Sequence, residues 1–91
     1  MTAANVLPLL QVDLGELYPT EDRKNYLSQV IDAAIAFITR EGITLEDTVE
    51  DLQLVEMYAA YLVRKRNTTE AMPRMLRWAL NNRLFSQKSG G

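Results

Sequence analysis

Any chemistry in this chain has to come from carboxylates, hydroxyls and cations, because its 91 residues include neither Cys nor His. Without them there is no thiolate or imidazole for a nucleophile, a general base or a soft metal site. Four acids stand close together, Glu46, Asp47, Glu50 and Asp51. They lack the alternating oxygen ligands and the loop glycine of a calcium site, and they sit where a helix start favours negative charge. The two internal glycines, Gly15 and Gly42, are isolated, so no phosphate-cradling loop exists. The expectation is a protein that is not an enzyme and uses no metal or cofactor.

The densest cationic feature is Arg64-Lys65-Arg66, followed by Arg74, Arg77 and Arg83 around Trp78. At a helix C-terminus such a run complements exposed carbonyls. It also suits pairing with acids on another chain or with nucleic-acid phosphates. The charges divide along the sequence. Residues 1–56 hold eleven Asp/Glu and three Lys/Arg, whereas residues 57–91 hold seven Lys/Arg and one acid, Glu70. Such a split is either a set of solvated helix faces or a pair of complementary patches that let copies stack.

Positioning these groups falls to helices. Apolar residues recur at helical spacing and nowhere alternate in the manner of a strand. The pattern predicts an all-α bundle of three main helices with a short N-terminal helical segment. That segment runs over 5–14, with Asn5 as its cap, Pro8 in its first turn and Gly15 ending it in a left-handed conformation. Tyr18-Pro19 forces an extended link. The next helix spans 20–41, capped by Thr20 and stopped by Gly42. Tyr26, Leu27, Val30, Ile31, Ala34, Phe37 and Ile38 form its stripe.

A third helix covers 47–66. Thr44-x-x-Asp47 and Thr48-x-x-Asp51 both fit a start signal, and the spacing does not choose between them. It is apolar nearly all round, so it is either a central core helix or a two-sided one with an outer face for a neighbouring subunit. In the second case Leu54, Met57, Tyr58 and Tyr61 make the subunit contact, since tyrosine pairs an apolar ring with a polar tip. Arg64, Lys65, Arg66, Arg74 and Arg77 would then be charged docking contacts. Asn67-Thr68-Thr69 reads as a turn. The last helix covers 72–85, with Leu76, Ala79, Leu80 and Leu84 inward. Residues 86–91 read as a mobile polar tail. No run of apolar residues is long enough for a membrane span, and the N-terminus lacks the basic region of a secretory signal.

Several stretches resemble the head–tail connector proteins of tailed bacteriophages and prophages. They are Ala33-Ala34-Ile35-Ala36-Phe37-Ile38, Gly42-Ile43-Thr44-Leu45, the segment from Val49-Glu50-Asp51 through Met57-Tyr58-Ala59-Ala60-Tyr61 to Arg66, and Met72-Pro73-Arg74-Met75-Leu76-Arg77-Trp78-Ala79-Leu80 through Leu84. The likeness covers residues 5–85 and rests on helix order and local wording; the N-terminal segment with Pro8 departs from it. It implies a small all-α protein with two longer antiparallel helices. It further implies a non-enzymatic ring of roughly a dozen copies under the portal, in the virion neck after assembly in the host bacterial cytoplasm. The implied partners are copies of itself, the portal, and a tail or stopper protein, with DNA only passing through. A different reading of the same residues is a small helical DNA-binding regulator, and a third is an antitoxin-like binding module.

Overall fold

The computed structural model describes residues 1–66, 68–69 and 71–89. Four helices follow in order: α1 (Ala3–Asp13), α2 (Glu21–Arg40), α3 (Val49–Lys65) and α4 (Arg74–Lys88). The described residues contain no strand, and the bundle is all-α. None of these helices is long and apolar enough to cross a membrane.

The expected local signals decide most of the boundaries. Thr20 accepts the Arg23 N–H at 3.1 Å and opens α2. Glu21 and Asp22 lie in its first turn and Arg40 in its last, both favourable to the helix dipole. Gly42 closes it at a φ of +99°, a conformation that costs a side-chain-bearing residue about 1–2 kcal/mol. A Cβ there would meet only the Leu84 side chain, at 3.7 Å, so strain and not a clash is the issue. Gly42→Ala should therefore lower unfolding free energy by about 1–2 kcal/mol in a urea titration.

Several boundaries differ from expectation, among them the start of α3, at Val49 and not 47. Helix α1 starts earlier, with Thr2 at the cap and Asn5 one turn in. The Asn5 Oδ1 accepts both the Thr2 N–H and its hydroxyl at 3.0 Å, so Asn5 caps from within the helix and not ahead of it. Pro8 consequently falls in the second turn, inside the helix. Its missing N–H leaves the Ala4 carbonyl unanswered by the backbone, but both residues face solvent. At the other end α4 begins at Arg74, with Pro73 ahead of it, and continues to Lys88. Residues 86–88 are thus helical and not a free tail. The reason is long-range: the Gln87 side chain accepts the Thr44 N–H at 2.7 Å and donates to the Gly42 carbonyl at 2.8 Å. The expectations for Asn67 in the turn and for residues 90–91 in the tail lie outside the described residues.

The packing order follows from the cross-links. Arg66 stacks over Tyr26 at 4.9 Å and Phe37 meets Tyr58 at 6.0 Å, so α2 and α3 run antiparallel. The N-terminal amine reaches Asp47 at 3.0 Å and Asp13 reaches Arg64 at 3.1 Å, so α1 lies parallel to α3. Helix α3 is central. Leu27, Ile31, Ala34 and Ile38 of α2, Val6 and Leu10 of α1, and Leu76 and Leu80 of α4 enclose Leu54, Val55, Tyr58 and Ala59. A helix apolar on most sides is here covered on most sides within one chain.

Candidate docking surface

The acidic cluster at the start of α3 is resolved by one of its members. Asp51 is 1% exposed, and its carboxylate takes the Arg83 guanidinium on both oxygens, at 2.7 and 3.1 Å. The Oδ2 also accepts the Glu46 N–H at 2.8 Å, while the Asp51 N–H donates to the Thr48 hydroxyl at 3.2 Å. Thr48, not Thr44, is therefore the cap of α3. Burial alone would raise the Asp51 carboxyl; the hydrogen bonds from Arg83 and the Glu46 backbone, with the Arg83 charge, outweigh it and hold the group below its ordinary range. Arg83 completes the knot by donating to the Thr44 carbonyl at 2.8 Å. The inward role of Arg83 was not visible in sequence, where it reads as one more cation off the apolar stripe of the last helix.

The predicted subunit contact does not form an exposed patch. Leu54, Tyr58 and Tyr61 are 4, 8 and 9% exposed, buried by α1, α2 and α4 of the same chain, and Met57 is half-buried. Tyr58 and Tyr61 meet edge to face at 6.1 Å, and Phe37 covers Tyr58 from the other side. These residues are core, because α4 closes over a side of α3 that α1 and α2 leave open.

The charged docking set is likewise largely engaged at home. Arg64 pairs with Asp13 at 3.1 Å and Arg77 with Glu41 at 2.8 Å. Lys65 lies over the Tyr61 ring at 5.6 Å and Arg66 over Tyr26. Arg74 is exposed at the start of α4. Arg64–Asp13, Arg77–Glu41 and Arg83–Asp51 all join the basic half of the sequence to the acidic half. Three of the seven cations of residues 57–91 are thus paired with acids of residues 1–56 inside a single copy.

Exposed apolar surface lies elsewhere. Leu9 and Val12 project from α1, Met75, Trp78 and Phe85 from α4, and Leu17, Tyr18 and Val49 from the links and the start of α3. Met75, Trp78 and Phe85 recur at helical spacing on one side of α4. The sequence signal was present: Trp78 and Met75 are absent from the inward stripe, so they had to face out.

Four of these side chains border one feature. Three hollows of about 210, 290 and 250 Å³ adjoin along the outer face of α3. Glu56 and Asp13 line the first and third, Met57 the first and second, and Gln53 the second and third. They form a single trough. Leu9 and Val12 make the α1 wall, and Met75 and Trp78 the α4 wall.

Glu56, on the floor, has a buried Oε1 with no hydrogen-bond partner among the described residues. Burial first, then the charge and side-chain hydrogen bond of Asp13, push its carboxyl up to about 7, against the pull of Arg64. The folded state therefore holds the Glu56 proton more tightly than the unfolded chain does. The stability it contributes is complete below the ordinary value of 4.5 and is lost as pH rises through about 7. Glu56→Gln should remove that slope. In thermal melts it should gain about 1–2 kcal/mol over the parent at about pH 8 and nothing at about pH 4, the full shift being discounted for partial solvation.

No protein-family model, curated protein or solved structure matches this chain.

Proposed function

We propose that the chain is a non-enzymatic structural adaptor of a phage or prophage virion neck, assembling as a ring under the portal. The observation that carries this reading is the amount of large apolar side chain left outside a well-filled core. Val12 is 80% and Trp78 65% exposed, beside Met75 and Phe85, on a bundle of only four helices. Scattered apolar residues are ordinary, but a trough with four of them on its walls is a surface made to be covered. The groups best suited to chemistry are held in structural pairs, Asp51 with Arg83 foremost. The resemblance of residues 5–85 to connector proteins supplies the biological setting. With Tyr58 and Tyr61 buried, the exposed apolar side chains on the outer faces of α1 and α4 are what supports such a contact surface. Heterologous contacts between different faces of successive copies generate a closed ring.

The test is co-expression with the portal protein encoded in the same genome, followed by light scattering and electron microscopy of the purified particles. A ring of this chain seated on the portal is the expected result. A chain that stays monomeric and does not co-purify with the portal overturns the reading. Retarded migration of duplex DNA that weakens steeply with salt would instead establish the DNA-binding regulator.

A further inference from the structure

Helix α1 meets α3 at its C-terminal end through a cluster that is one positive charge short. Asp13 of α1 and Glu56 and Arg64 of α3 line the same hollow, and Asp13 and Glu56 also line the next. The guanidinium of Arg64 goes to Asp13, at 3.1 Å. The Glu56 Oε1 is buried and has no hydrogen-bond partner among the described residues. The other titratable group lining the first hollow is Tyr61, and the α4 side brings Pro73, Met75 and Leu76, none of them charged. Glu56 lies within side-chain hydrogen-bond reach of Asp13. Two carboxyl groups this close, with one cation, share a proton across the α1–α3 contact. The chain that follows α1 is built to pivot. Gly15 has a φ of +72°, and a Cβ placed there would meet nothing within 4 Å. Beyond it Leu17 and Tyr18 are both highly exposed. Between them and Gly15, Glu16 is anchored to the start of α2, gripping the Arg23 guanidinium at 2.6–3.1 Å.

We propose that the Asp13–Glu56 carboxyl pair is a proton-operated clasp: with the proton in place the end of α1 is held on α3, and loss of the proton lets that end swing away about Gly15. The protonated Glu56 carboxyl donates to Asp13 and satisfies both groups. Once the proton leaves, two carboxylates repel across the contact and Glu56 draws toward water. Val6, fully buried nearer the other end of α1, keeps that half of the helix seated. Burial and the neighbouring Asp13 hold the Glu56 proton up to about 7, so the clasp is closed in mild acid and opens as pH rises through neutrality. Val12, on the outer side of the same turn, moves with it, and the apolar surface of α1 becomes pH-dependent. The inference goes beyond the adaptor reading and needs no partner chain.

Amide hydrogen exchange of the full chain, read residue by residue by NMR, tests the clasp. The Leu14 and Glu16 N–H groups close the last turn of α1 on the Leu10 and Gln11 carbonyls, at 2.9 Å each, and so report its opening. They should exchange faster than the amides of the buried Leu27 and Ile31 in α2, from an opening separate from global unfolding. After correction for the intrinsic pH dependence of exchange, that opening should rise about tenfold between about pH 5 and about pH 8. Glu56→Gln, whose side-chain amide donates to Asp13 at every pH, should abolish the rise and keep the turn closed. Asp32→Asn, an equal loss of charge on the exposed side of α2, should leave the rise intact. Exchange of Leu14 and Glu16 at the rates of Leu27 and Ile31 would make the response one of the whole bundle and overturn the proposal. An opening that does not change with pH, or a rise that persists in Glu56→Gln, overturns it as well. The adaptor reading fails separately, by absence of co-assembly with the portal, whatever the exchange rates show.

Discussion

Replacing Arg83 with methionine should cost about 3–5 kcal/mol, a large fraction of the stability of a domain this size. The substitution keeps most of the side-chain volume but leaves the Asp51 carboxylate 1% exposed and without its counter-ion. Coulomb attraction in a partly buried pair offsets a large desolvation cost, and removing one partner leaves that cost standing. Three further effects follow from the same knot. The Thr44 carbonyl loses its donor, α4 loses its strongest tie to α3, and the link between α2 and α3 loosens. The measurement is chemical denaturation followed by circular dichroism. The sign of the pH dependence is an independent check. Asp51 has a depressed folded value, so the pair contributes above the unfolded carboxylate range and is lost as pH falls through the folded value. The penalty of Arg83→Met should shrink in strong acid, where Asp51 is neutral in both states. Asp51→Leu combined with Arg83→Met should recover most of the loss, because an apolar pair of similar volume needs no solvation.

Tyr58→Ala is the second large effect, at about 3–5 kcal/mol. The ring is buried between Phe37 and Tyr61, at centroid distances of 6.0 and 6.1 Å, so truncation opens a cavity at the α2–α3 contact. The loss should appear in the isolated chain, in the absence of any partner, as a lowered denaturation midpoint with an unchanged slope. Had Tyr58 been an outward contact, the same change would have weakened assembly and spared the monomer. Trp78→Ala is the counterpart. It should move the melting temperature of the isolated chain little, because the ring is mostly solvated, and should act on docking.

What the sequence disclosed about this fold was mostly local in origin. Thr20, the α2 stripe and Gly42 act within a turn or two of themselves, and α2 appears at Glu21–Arg40 as the spacing predicts. The choice between Thr44 and Thr48 was not local. It turns on Asp51 reaching back to the Glu46 N–H and across to Arg83, 32 residues later. Ser86 to Lys88 read as tail because polar residues near a terminus usually are; Gln87 is helical because its amide fits two backbone groups 43 and 45 residues away. The exposed apolar surface was legible only in negative. An over-apolar α3 announces that something must cover it, but periodicity cannot tell a neighbour in the same chain from one in another. The outward Met75 and Trp78 were the better clue, since no inward stripe of α4 has room for them.

The way Asp51 divides its two oxygens matters for synthesis. A ribosome releases this carboxylate well before the cation that neutralises it, with the whole α3–α4 turn still to be made. A nascent chain holding only the first three helices carries this anion without its counter-ion. It gains more by leaving the start of α3 hydrated. Completion of the last helix supplies the guanidinium, and only then does compaction around α3 lose its penalty. Helix α4 thus serves as a latch on the timing of folding, since the start of α3 gains its counter-ion only once Arg83 has been made.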